Sequence, residues 1–223
     1  MRTSFMAFLL LLLVLFLDPQ PGEAQACVGV PIGSGQSGGS VGIGFPDGGN
    51  IFGAAFHHDL ANSPLSLGVR FEHTNFDARG INSINAFGGT LIYDLRAQIT
   101  ELPEGLSLGL VAGFMYGRWP LFEDRDWGES LTLNMVEIPL GVGFGGTLVL
   151  SEGEDAAIEL IPYAVPAIYH QRFSAEGESY SETDLDMILG GTLRFSQFFF
   201  GLDLQNLFRD GSSYATLRAG LIF

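Results

Sequence analysis

Apolar and polar positions follow two different patterns along this chain. From Phe5 to Leu17 thirteen apolar residues stand without interruption, directly after Arg2. That run is shorter than the roughly 20 apolar residues of a helical membrane span. Past Ser40 the apolar residues no longer cluster but alternate with polar or small ones. Alternation is the mark of extended chain, because successive side chains of a strand point to opposite faces. In the stretch Ile84 to Ile99, Phe87, Gly89, Leu91, Tyr93, Leu95, Ala97 and Ile99 fall on one face, while Thr90, Asp94, Arg96 and Gln98 fall on the other. Leu106, Leu108, Leu110, Ala112, Phe114 and Tyr116 form a second such face. Val136, Ile138, Leu140, Val142, Phe144 and Leu148 oppose Glu137, Pro139 and glycines at 141, 143 and 145. Leu217, Ala219, Leu221 and Phe223 close the series against Thr216, Arg218 and Gly220.

The pattern predicts strands over Val41 to Phe45, Ile51 to His58, Leu65 to Phe76, Ile84 to Ile99, Leu106 to Trp119, Leu133 to Leu150, Ala157 to Phe173, Leu185 to Phe195, Phe198 to Leu204 and Tyr214 to Phe223. That makes ten strands, or eight if the first and ninth segments stay unpaired. Several reach the roughly 9–11 residues that cross a bilayer with tilt. Leu102-Pro103-Glu104-Gly105, Ser151 to Asp155 and Ser196-Gln197 are tight connections, whereas Pro120 to Ser130 and Ser174 to Asp184 are long and charged. Short turns at one end and long loops at the other suit a membrane barrel. With Phe223 at the periplasmic rim, the tight turns and Asn62-Ser63-Pro64 fall on that side, and the long loops and Asp77 to Ser83 fall outside.

The apolar face of such a sheet points inward in a soluble sandwich and outward in a membrane barrel. Here the polar face is crowded with glycine, arginine and acids, which suits a narrow lumen of small residues and paired charges. The fold expected is therefore all-β: a transmembrane antiparallel up-and-down barrel over 41–223. The basic start, the apolar run and Ala24-Gln25-Ala26 read as a secretory signal peptide over 1–26, cleaved after Ala26. Residues 27–40, rich in Gly and Ser, read as an exposed flexible lead-in. Cys27 is the only cysteine, so no internal disulfide forms. It stands at the expected mature terminus, where lipidation is one reading. However, Ala24 holds the position where lipoprotein processing usually has a branched apolar residue.

All ten basic residues are arginine, against twenty-five acids. Removing Arg2, Asp18 and Glu23 with the signal leaves nine against twenty-three, a formal charge of −14. That excludes nucleic acid as a natural partner.

With its export signal, strand pattern and terminal Leu221 and Phe223, the mature chain resembles the superfamily of small outer-membrane β-barrel proteins. The resemblance implies an outer-membrane address and a C-terminal signal, Leu221 with Phe223, read by the insertion machinery. The family's preferred glycine five residues before the end is here Arg218, with glycine at Gly220. The superfamily holds adhesins, channels, anchors and lipid enzymes, so the resemblance supplies no activity.

Candidate chemistry lies mainly in the inward set Arg70, Glu72, Asp94, Arg96, Glu137, Asp186, Arg194, Asp203 and Arg218. These read as a lumen network of mutually satisfied charges, since unpaired buried charge is costly. The alternative is a selectivity ring for an ion or small solute. Phe71-Glu72-His73-Thr74-Asn75 is similar to the His-x-Ser-Asn stretch of outer-membrane lipid A deacylases. Asn75 stands where the nucleophilic serine belongs, and an amide cannot attack. His57 and His58 point to opposite faces and cannot share a metal. His170 and Ser174 flank a loop with Glu176 and Glu178 nearby, but their spacing fixes no mutual geometry. The loop acids (Glu123, Asp124, Asp126, Glu129, Glu176, Glu178, Glu182, Asp184) read as a solvated rim, or as ligands for cations bridging to lipopolysaccharide. Gly141 to Gly146 lacks the spacing and the following helix of a nucleotide loop. The functional expectation is a non-enzymatic barrel with a structural or surface-interaction role, needing no cofactor or metal, with outer-membrane lipids and lipopolysaccharide as partners. A small channel and a lipid A deacylase-like enzyme are the alternatives.

Overall fold

The computed structural model describes residues 29–76, 83–96, 98–99, 102–103, 105–123, 130–152, 157–208 and 213–223. The expected signal peptide, its cleavage site and Cys27 lie outside the described residues.

The chain forms β1 (Ser37–Phe45), β2 (Gly49–Asp59), β3 (Leu65–Phe76), β4 (Ile84–Asp94), β5 (Leu106–Glu123), β6 (Ser130–Gly146), β7 (Leu148–Glu152), β8 (Ala157–Ala175), β9 (Glu178–Phe195), β10 (Phe198–Gln205) and β11 (Tyr214–Ile222). Every neighbour pairs antiparallel, and β1 pairs with β11, with Gly38 opposite Ile222 and Phe45 opposite Ala215. β6 and β7 both pair with β8, so they form one stave interrupted at Thr147, whose N–H donates to the Gly105 carbonyl at 2.9 Å. The result is a closed barrel of ten staves. Among the described residues every strand but β7, which pairs with β8 alone, has a hydrogen-bonded neighbour on both sides, as a backbone immersed in lipid requires.

The apolar face looks out. Leu91, Leu140 and Leu217 are 42%, 58% and 50% exposed. Their neighbours in the alternation turn inward, where Val111, Met115, Tyr163, Val165 and Thr192 are buried. The start of β1 meets Phe223 at one end, where the Ser37 and Phe223 backbones exchange two hydrogen bonds of 2.9 Å. The connections at this near end fall at 60–64, 95–105, 153–156 and 196–197, and the others at the far end, as the sequence count requires.

Three elements differ from expectation. β4 stops at Asp94 instead of Ile99, although the alternation continues through Leu95. The Asp94 carboxylate accepts the Arg96 N–H at 2.8 Å, and the N–H groups of Gln98 and Ile99 then turn back to the Leu95 carbonyl. An aspartate bonding its own backbone two residues on builds a turn that ends a strand. Second, Ser174 to Asp184 is not a long loop. β8 and β9 run on to a two-residue turn at Glu176-Gly177, with φ of 48° and 88°. Two successive positive φ values are what a tight hairpin turn demands. β5 and β6 likewise extend past their expected limits to Glu123 and Ser130. Third, the lead-in is not wholly exposed. Residues 29–33 are buried, and β1 begins at Ser37.

Candidate functional site

The buried lead-in places the candidate site inside the barrel. Val30 and Ile32, each 3% exposed, pack with Phe199 and Ile222 in one apolar cluster across the near end of the lumen. Phe199 has room because its ring lies over Gly220, where a Cβ would strike both the ring and the Gly39 carbonyl. The glycine displaced from the usual family position thus serves a packing need here.

One layer above, three groups converge on the Arg218 guanidinium. Its Nε lies 2.5 Å from Asp203 Oδ2, and its Nη2 lies 2.9 Å from Asp203 Oδ1 and from the Tyr163 hydroxyl. Tyr163 also donates to Asp203. Arg218 Nη1 donates to the Gly29 carbonyl at 2.9 Å, and the Thr192 hydroxyl donates to the same oxygen at 2.9 Å. Strands β8, β9, β10 and β11 are thereby tied through the lumen to the N-terminal segment. Gly29 sits at φ +78° under the guanidinium and the phenol, and a side chain there would collide with both. Tyr163 in turn lies over Gly190, where a Cβ would enter its ring.

Towards the far end a cavity of about 180 Å³ remains, lined by His57, Arg70, Val111, Val165, Ile188 and Tyr214 among others. Arg70 Nε lies 3.8 Å from Glu72 Oε1. Gln171 donates to Glu137, and Tyr214 donates to Gln205 at 2.9 Å. One wall of this space is apolar and the opposite wall polar, so the lumen is not a uniform ring of charge.

The inward set read from alternation is therefore brought together only in part. Asp203 with Arg218 and Arg70 with Glu72 are pairs. Arg194 bonds Glu159, at 3.4 Å, and the Ser196 carbonyl, both near the terminal end. The Asp186 carboxylate accepts the N–H of Met187 at 2.7 Å and of Phe208 at 3.3 Å. Arg96 is a correction: it sits in the turn after β4, outside the strands, because the Asp94 turn has already ended the alternation. Tyr163, Thr192 and Gln171 were not singled out in the sequence, and His57 was weighed there only as a metal ligand, although the inward parity of their strands carries all four. Gly29 gave no such signal.

On the outside, His73 Nδ1 lies 2.8 Å from Asn85 Oδ1 and its Nε2 lies 3.1 Å from Asn75 Oδ1. Both ring nitrogens thus face amide oxygens rather than a hydroxyl. Leu221 and Phe223 are outward and exposed at the near end, with the Phe223 ring 6.3 Å from that of Phe56.

No family model and no curated protein matches the chain. Among solved structures it is similar to the N-terminal β-barrel domain of Pseudomonas aeruginosa OprF, 11% identical over 85% of this chain and 98% of that one, with a TM-score of 0.35. The translocator domain of the Neisseria meningitidis autotransporter NalP is 9% identical over 84% and 87%, with a TM-score of 0.49. Ail, the attachment invasion locus protein of Yersinia pestis, is 15% identical over 85% and 99%, with a TM-score of 0.34. Identities this low speak to fold alone.

Proposed function

We propose that this transmembrane barrel resides in a Gram-negative outer membrane as a plugged, non-conducting anchor that presents its far-end hairpins for surface contacts, and that it is not an enzyme. The observation that carries the reading is the seal: the Gly29 carbonyl is held by Arg218 and Thr192, which seats Val30 and Ile32 in the near end of the lumen. A ten-strand wall is already too narrow for the open water channel of 16–18-stranded porins. Near-end placement of the start of β1 and of Phe223 suits the periplasmic side, and outward Leu221 and Phe223 suit recognition by the insertion machinery. Lipid is the partner that the exposed apolar wall requires. His73, held between two amide oxygens, supports a rim role over a hydrolytic one, since a histidine base needs a nucleophile to deprotonate.

Planar-bilayer recording tests the seal. The refolded mature chain is expected to give no conductance steps, and a variant lacking residues 27–36 is expected to give them. Stable steps from the intact chain would overturn the anchor reading in favour of a channel. Mass analysis of lipid A from expressing cells tests the enzymatic alternative, and a changed acyl pattern would revive it.

A further inference from the structure

The two faces of the wall are sorted by charge as well as by polarity. Every carboxylate on a described strand side chain lies on the inward face, among them Asp59, Glu72, Glu137, Asp186 and Asp203. The outward face carries two arginines instead, Arg118 and Arg172, and the imidazoles of His58, His73 and His170. In a chain with a formal charge of −15, an outer wall free of described acids is a local reversal of sign.

The two arginines lie in adjacent outward rows of the strand register. Strand register places His73, Asn85, Arg118, Asn134 and Ser174 directly opposite one another across β3, β4, β5, β6 and β8. The row two residues nearer the barrel middle runs Phe71, Phe87, Tyr116, Val136 and Arg172, with the Phe87 and Tyr116 rings 5.4 Å apart. A polar row with Arg118 at its centre therefore borders a row of three aromatics that ends in Arg172, the mixture of rings and polar groups found where acyl chains meet headgroups. Two interstrand steps and two residues of rise put the Arg118 and Arg172 backbones about 12 Å apart. Both side chains lie on the outward face; Arg172 Nη2 donates to the Ser179 hydroxyl on β9 at 3.5 Å, and the Tyr116 hydroxyl donates to Asn134 at 2.9 Å on β6, the strand between β5 and β8. His170 lies one row lower on β8, its Nδ1 2.9 Å from the Thr183 hydroxyl.

We infer that this patch on β5, β6 and β8 is a binding site for the phosphates of an outer-leaflet glycolipid, lipopolysaccharide, with Arg118 and Arg172 as its charged contacts. The argument is charge complementarity: the two outward arginines face no described outward acid, and guanidinium groups pair with phosphate through short charge-assisted hydrogen bonds. The wall beneath, with Ile138, Leu140 and Ile168 exposed, offers the acyl chains an apolar surface. No bridging cation is needed, because the protein supplies the positive charge itself.

The inference rests on the outer-membrane reading, and one experiment separates the two. The full mature chain and the variant R118Q/R172Q are inserted into phosphatidylcholine nanodiscs, and binding of purified lipopolysaccharide is measured with chelator present. Inserted wild-type chain is expected to bind, and the variant to bind at least about tenfold more weakly, as loss of charged hydrogen bonds implies. Dephosphorylated lipopolysaccharide is expected to bind wild type as weakly as the variant does. Equal affinity of wild type and variant overturns the inference, as does binding that disappears with chelator. Tight binding of dephosphorylated lipid overturns it too. Phosphatidylglycerol nanodiscs form the last arm: competition as strong as lipopolysaccharide's would mean a general anionic-lipid surface and overturn the glycolipid assignment. Failure of the chain to enter any bilayer would instead defeat the membrane reading itself.

Discussion

Asp203 and Arg218 offer the sharpest test of how the lumen is held. Both side chains are almost wholly buried, and the guanidinium makes two contacts with this carboxylate. Asp203→Ala leaves Arg218 with only the Tyr163 hydroxyl and the Gly29 carbonyl, neither of which carries opposite charge. Removing one partner of a buried ion pair costs about 3–5 kcal/mol, because the remaining charge stays desolvated and uncompensated. Replacing both partners by apolar residues of similar size, as in Asp203→Leu with Arg218→Met, is expected to recover most of that loss. Urea unfolding of the refolded barrel, followed by tryptophan fluorescence and by heat-modifiable gel migration, measures each variant. The double variant should nonetheless lose the seal, since Gly29 then keeps only the Thr192 hydroxyl as donor. A single variant less than about 1 kcal/mol below wild type would mean that water reaches Arg218 freely, and the picture of a dry cross-link would be refuted.

Gly29→Val places a side chain against the guanidinium and the phenol, so it should unseat the plug; protease protection of residues 29–33 should fall while the barrel stays folded. Gly220→Val pushes into the Phe199 ring, and overpacking of this kind should cost about 1–3 kcal/mol in the same urea assay. Leu140→Arg puts a charge on the lipid face and should destabilise the inserted barrel by about 2–4 kcal/mol if that position lies at mid-membrane. The same substitution would be nearly silent if this wall faced water. Gly177→Ala forces a side chain into the left-handed region and should weaken the β8–β9 hairpin by about 1 kcal/mol, seen as faster amide exchange near the turn alone.

Orientation of the wall was legible from alternation because it is a property of one strand at a time. Leu91, Leu140 and Leu217 needed only their own neighbours to be placed outside. The ends of strands were less legible. Leu95, Ala97 and Ile99 keep the period of two, yet a single side-chain bond from Asp94 bends the backbone away. At Ser174 to Asp184 the reverse happens, since a hairpin standing beyond the apolar belt has polar residues on both faces and shows no hydrophobic rhythm. The lead-in was misread for a third reason: its glycines and serines ordinarily mark exposed chain, as Ser34 and Gly35 are, but Gly29 is slim enough to lie under Arg218 and Tyr163, and Val30 and Ile32 beside it are apolar enough to bury. The pair Asp203 and Arg218 came through because both lie on inward parity. Its partners Tyr163 and Gly29 are 55 and 189 residues from Arg218, and only the closed barrel brings them together.

Arg218 belongs to the last strand to be made, whereas the carbonyl it grips lies ahead of the first. The contact therefore bridges the same junction, β11 against β1, that turns the sheet into a ring, so a change that opened that seam would also part the guanidinium from its carbonyl.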